Sequence, residues 1–154
     1  MTPGARELVR EALQGWRAWR VIEREDGPTL TSWWLSTLWP ARRALESGCG
    51  MHGSRPVAHH MCGIHAYTGR EEAFAYLGRR HESRLRLFSS RPERTLAVAF
   101  GRVSGWGHAV RHTRGWRSQF AYPYELFLIG GDQGLALALA GRYAVETVLG
   151  PPDR

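Results

Sequence analysis

Both cysteines and four of the seven histidines fall within one short stretch, from Cys49 to His65. The spacing is Cys49-x2-His52, nine intervening residues, then Cys62-x2-His65, with His59 and His60 just before the second pair. Thiolate sulfur and imidazole nitrogen are the donors that a tetrahedral zinc ion takes. Two close pairs on separate turns are a common way for a chain to supply four of them. Gly48, Gly50 and Gly53 would let the backbone curl around an ion. Six candidate ligands allow several sets of four. The competing reading is a buried Cys62 acting as a small hydrophobe beside a solvated histidine-rich loop. A catalytic zinc would want a general base nearby, and neither H-E-x-x-H nor H-x-E with P-C-x-x-C occurs. Glu71 and Glu72 are near in sequence, but the first turn of a helix favours acids in any case. The expected metal is therefore structural.

The second chemical feature is the interleaving of arginine with aromatic residues. All 21 basic residues are arginine, there are seven tryptophans, and the net charge is +7. Arg17 and Arg20 flank Trp19, and Arg111, Arg114 and Arg117 surround Trp116; Arg79, Arg80, Arg84 and Arg86 form a further group. Arginine on phosphates with rings stacked on bases is how single-stranded nucleic acid is held. The candidate nucleic-acid contacts are Arg17, Arg20, Arg111, Arg114, Trp116 and Arg117. Alternation along a strand gives the opposing reading, in which most of these tryptophans are core. A GC-rich genome also accounts for arginine without lysine, although it does not remove the attraction of a +7 domain to polyanions.

The elements that must position these residues read as α+β. Residues 5–14 have Leu8, Val9, Ala12 and Leu13 on one helical face and Gly15 as a stop. Residues 16–23 read as a strand, closed by the turn Asp26-Gly27-Pro28. Residues 29–39 are a second extended or partly extended segment, and 41–46 one or two helical turns. After the Cys/His loop, 61–67 read as a short strand. Thr68 with Glu71 starts a helix with Ala73, Phe74 and Leu77 on its apolar side, ending near Arg80 or His81. Residues 84–88 alternate basic and apolar. The rest is β-rich: 94–103, a turn or bulge at Gly105-Trp106-Gly107, a return strand over 108–112, a turn at 113–115, then 116–122 and 126–129 split at Pro123. Asp132 caps a last helix over 133–145.

The expected architecture is one domain over residues 1–154, with 149–154 as a disordered tail. A small curved antiparallel sheet or partly open barrel is flanked by three short helices and carries a Cys/His loop.

Several stretches resemble a set of small uncharacterised proteins of bacteria and their phages. They are residues 15–21, Cys62-Gly-Ile-His-Ala66, and the run from Gly101 through Gly107 and His112 to Gly115-Trp-Arg117 and Ala121-Tyr-Pro123. The resemblance covers most of residues 15–123 and implies no activity. In that pattern a cysteine stands where His60 is and a tyrosine where His65 is. Since Cys and His exchange as zinc ligands, the resemblance implies the set Cys49, His52, His60 and Cys62, with His59 and His65 in reserve. Met61-Cys62-Gly63-Ile64 also looks like the start of class II glutamine amidotransferases. There the cysteine is the N-terminal residue, whereas 61 residues precede it here.

Residues 1–20 contain four arginines and no apolar run of signal-peptide length, and no stretch approaches 18 apolar residues. The expected location is the reducing cytoplasm, with no membrane partner, where two cysteines serve as ligands or in the core rather than as a disulfide. Three functions are open. The first is a zinc-stabilised module that recognises nucleic acid, as an unpaired or modified base. The second is a protein–protein adaptor or inhibitor with a Trp/Arg-rich surface for an acidic partner. The third, ranked last, is a nucleotide-directed enzyme using His108, His112 or Glu125.

Overall fold

A computed structural model describes residues 5–33, 37–77 and 94–153. The expected strand over 84–88, the end of the helix begun near Thr68 and the group Arg79, Arg80, Arg84 and Arg86 lie outside these residues. The strands are β1 (Arg6–Leu8), β2 (Leu13–Arg24), β3 (Gly27–Ser32), β4 (Leu45–Glu46), β5 (Ile64–Tyr67), β6 (Thr95–Arg111), β7 (Gly115–Ile129) and β8 (Thr147–Leu149). Helix α1 occupies 70–77 and α2 spans Gln133–Tyr143. All the strands belong to one sheet.

The long hairpin β6–β7 is its spine. β6 pairs with β2 along Leu13↔Gly105 to Ile22↔Thr95, and β7 pairs with β5 along Ile64↔Ser118 to Tyr67↔Gly115. β2 and β5 then meet at Trp16↔Tyr67. The pairings β6–β2–β5–β7–β6 therefore run in a circuit, but a single residue pair joins the β2–β5 seam. The result is a strongly curved sheet rather than a clean barrel. The expected antiparallel arrangement holds except at β8, which lies parallel to β7.

Bulges produce the curvature. Register shifts in β6–β7 fall between Arg102 and Val103 and between Trp106 and Ala109. The expected turn at Gly105-Trp106-Gly107 is thus a bulge inside one continuous strand, and 108–112 is not a return strand. Pro123 does not split β7. It sits beside the first bulge, where a residue without an N–H costs no ladder bond. Gly105 lies under the Trp116 ring, and a Cβ there would come within 2.4 Å of it.

Two further expectations are corrected. Residues 5–14 are not helical. So short a helix is marginal by itself, and Leu8 is exposed, so no apolar face is buried there. The distal half of β6 offers an open edge instead, and β1 takes it along Arg6↔Val110 to Leu8↔His108. Residues 41–46 form a turn leading into β4, not helix. The segment expected over 29–39 is partly extended: β3 ends at Ser32, and Leu38 bridges back to Thr31. Among the described residues there are two helices, not three.

Asp132 caps α2 as expected, its carboxylate accepting from the Leu135 N–H at 2.8 Å. Trp19, Val21, Leu30, Trp39, Leu126, Leu139 and Tyr143 form the main core. On the other face Trp16 stacks on Phe100 at 5.5 Å, near Ala73 and Leu77 of α1.

Tyr143 ties α2 to the sheet. Its hydroxyl donates to the Trp39 carbonyl at 2.7 Å and accepts from the Leu30 N–H at 2.9 Å. Tyr143→Phe leaves two buried backbone groups unmatched and should lower unfolding stability by about 1–3 kcal/mol. Tyr124→Phe, at a surface ring, should change it by less than about 0.5 kcal/mol. Denaturant melts of the two variants check this; equal midpoints would contradict it.

Candidate metal centre and adjoining cavity

The segment 47–63 has almost no apolar burial of its own. Pro56 is buried, but Met51 and Met61 are exposed. Ser47 enters it by donating its N–H to the Gln119 carbonyl at 2.8 Å, and the Gly53 N–H closes a turn on the Cys49 carbonyl at 2.8 Å. The Gln119 amide reaches Ser54 Oγ at 3.0 Å.

Within this loop Cys49, His52, His60 and Cys62 converge, their ligand atoms all within 4.8 Å of one another. Cys49 Sγ lies 3.6 Å from His52 Nδ1 and 3.7 Å from His60 Nδ1. Cys62 Sγ lies 3.7 Å from His52 Nδ1, and the two Nδ1 atoms are 3.2 Å apart. All four residues are half-buried, and together they can hold a metal ion. The Met51 backbone N–H lowers the Cys49 thiol below its ordinary pKa, favouring the thiolate that metals bind. The two reserve ligands stand apart. His59 is exposed, and His65 donates Nε2–H to the Met61 carbonyl at 2.9 Å. Burial keeps the His65 pKa low, with Arg17 and Arg117 adding to the effect.

Arg117 holds the loop to the sheet. It is fully buried on β7. Its Nη1 donates to the carbonyls of His60 and, at 2.6 Å, Cys62. Its Nη2 donates to those of Val57 at 3.0 Å and Ala58 at 3.4 Å. Its Nε donates to His112 Nε2 at 2.8 Å. Two of those carbonyls belong to metal-cluster residues, so the guanidinium fixes the ligands from behind. Gly63 makes the approach possible. Its φ is +107°, and a Cβ there would meet Arg117 Cβ at 3.1 Å.

Of the six expected nucleic-acid contacts, three are interior. Arg117 lies beneath the loop. Trp116 is core, its Nε1 donating to the Gln14 carbonyl at 3.0 Å. Arg20 is buried, with Nη1 donating to Thr95 Oγ1 at 3.1 Å. Arg111 is at the surface, paired with Glu7. A flat Arg/Trp face is therefore not assembled: strand alternation and the curl of the sheet turn these side chains inward. Nor do His108, His112 and Glu125 form a group. Glu125 pairs with Arg102 at 2.8 Å, and the His108 N–H bonds Gln119 Oε1 at 3.1 Å.

Arg17, Arg114 and Trp116 instead line a cavity of about 610 Å³ beside the loop. Aromatic walls come from Trp33, Trp39, Tyr67 and Tyr76, and one edge from Ser47, Gly48 and Gly63 of the metal loop. Neither this cavity nor the role of Arg117 as anchor of the loop is legible from residue order, because both depend on the β5–β7 register.

His112 must accept from Arg117, so it is neutral with its proton on Nδ1. Burial, then the Arg117 charge, lowers its pKa. A histidine with a folded pKa below its unfolded value of about 6.5 takes up its proton more readily when unfolded. Stability present at neutral pH is therefore lost as pH falls through and below that value. His112→Gln keeps an acceptor for Arg117 and cannot titrate. Thermal melts between pH 7 and 5 should fall less steeply in this variant, and an unchanged profile would contradict the assignment. Arg117→Lys loses the planar fork and should weaken metal binding by about 10–100-fold in a competitive chelator titration.

No protein-family model, curated protein or solved structure matches the chain, so the reading of this site rests on its own geometry.

Proposed function

We propose that the chain is a small zinc-stabilised binding module that recognises nucleic acid through an unpaired base. The spacing of the four ligand atoms carries the reading. A tetrahedral zinc with Zn–S of about 2.3 Å and Zn–N of about 2.0–2.1 Å has S···N edges of about 3.6 Å and N···N edges of about 3.3 Å. Three S···N separations of 3.6–3.7 Å and the N···N separation of 3.2 Å match those edges. Four lone-pair donors converge on one point, an arrangement that a cation stabilises. The ion is structural on this reading: it closes a loop that lacks a core, and the loop forms part of the cavity edge.

Three features support nucleic acid as the partner: the net charge of +7, the exposed Arg114 at the cavity and the aromatic lining. With Arg20, Trp116 and Arg117 buried, this cavity rather than a flat face is the surface that suits a base taken out of its stack.

Elemental analysis should find about one zinc per chain. Chelator should lower the thermal midpoint, and Cys62→Ser should remove the metal. No zinc, with a melt indifferent to chelator, would refute the structural role. Binding to a single-stranded oligonucleotide should fall steeply as salt rises from about 50 to 200 mM. A partner bound by apolar contact, as an adaptor would be, gives a nearly flat salt response.

A further inference from the structure

We infer that the cavity beside the metal loop takes one nucleotide unit, with its base against the aromatic walls and its phosphate on the Arg17 guanidinium. This deepens the preceding reading by naming what the cavity recognises.

Arg17 carries the inference. It projects from β2 into the cavity, with its guanidinium 4.8 Å from the Trp39 ring centroid. Nη1 donates to the His65 carbonyl at 2.9 Å and Nη2 to Ser32 Oγ at 3.4 Å. These contacts fix the orientation of the fork without neutralising it. Nε is buried with no hydrogen-bond partner, and among the described residues no carboxylate pairs with this cation. Burial lowers its pKa to about 10, with the Tyr76 phenol opposing the shift. A half-buried cation with no carboxylate beside it is incompletely compensated, and an anion delivered by a ligand supplies what the protein does not.

The rest of the cavity defines the ligand attached to that anion. Tyr67 and Tyr76 are the half-buried aromatic residues of the lining, with Trp33 and Trp39 buried behind it, and aromatic rings stack on any base. The volume of about 610 Å³ lies in the range of small-molecule sites, about 300–1,000 Å³. Glu46 also lines the cavity and is exposed, so a ligand with several negative charges is disfavoured on that side. Arginine favours phosphate through its bidentate fork. One phosphate plus one planar base fits the set. Such a unit can come from a free mononucleotide or from an unpaired position in a strand.

The test is calorimetric titration of the zinc-loaded full chain with the four nucleoside 5′-monophosphates, their nucleosides, benzoate, a short single strand and a duplex. At least one monophosphate should bind, and its nucleoside should bind about tenfold or more weakly. Arg17→Met should abolish that difference. A single strand that binds tighter than the monophosphate assigns the unit to a strand; equal binding assigns it to the free nucleotide. Equal binding of nucleoside and nucleotide, benzoate binding as tightly as the nucleotide, or no nucleotide binding would each overturn the inference. The wild-type comparison does not depend on the Arg17 variant folding. Strand binding that persists in Arg17→Met, with no mononucleotide binding, would overturn this inference and leave the nucleic-acid reading standing.

Discussion

The contact between the Arg117 guanidinium and the backbone carbonyls of 57–62 is the interaction on which the rest of the molecule depends. A buried arginine is normally paired with a carboxylate. Here the compensation comes from carbonyl dipoles and from His112. Removing the cation would strand several buried acceptors, and removing the loop would strand the cation. The loop and the sheet therefore hold each other in place. The candidate metal cluster lies beyond the same carbonyls, so an ion held there would be coupled to sheet packing through one side chain.

The sheet imposes this arrangement because of how it bends. Bulges in β6 and β7 let a four-strand circuit nearly close, and they put residues 116–118 of β7 against β5 rather than at a free surface. Trp116 then seals the interior over Gly105, while Arg117 faces the loop. On β2, Arg17 and Trp19 share the inward face and Trp16 lies under α1. The seam between β2 and β5 is held by one residue pair, and Arg17 spans it through the His65 carbonyl. The cavity lies beside this seam, where the sheet fails to close completely.

Much of the site could be read from residue type. Two cysteines and four histidines within 17 positions of a chain with few of either are a conspicuous group of donors. Spacing alone left six candidates. The ligand set that meets in space is the one the sequence resemblance implied, and the tidy second pair, Cys62 with His65, is not used. Strands rich in aromatic and β-branched residues were also legible, as was the Asp132 cap. The failures have physical causes. Residues 5–14 carry a helical pattern too short to stand without packing, and an open strand edge captured them. Pro123 and Gly105-Trp106-Gly107 look like breaks, but in a curved sheet such residues mark bulges. The inward turn of Arg20, Trp116 and Arg117 depends on register, which local sequence does not encode.

Zinc-edge X-ray absorption spectroscopy of the metal-loaded protein examines the central claim most directly, because it counts donors around the ion. The account predicts two sulfurs at about 2.3 Å and two imidazole nitrogens at about 2.0–2.1 Å. A shell of oxygen and nitrogen alone, or one holding a single sulfur, would contradict it.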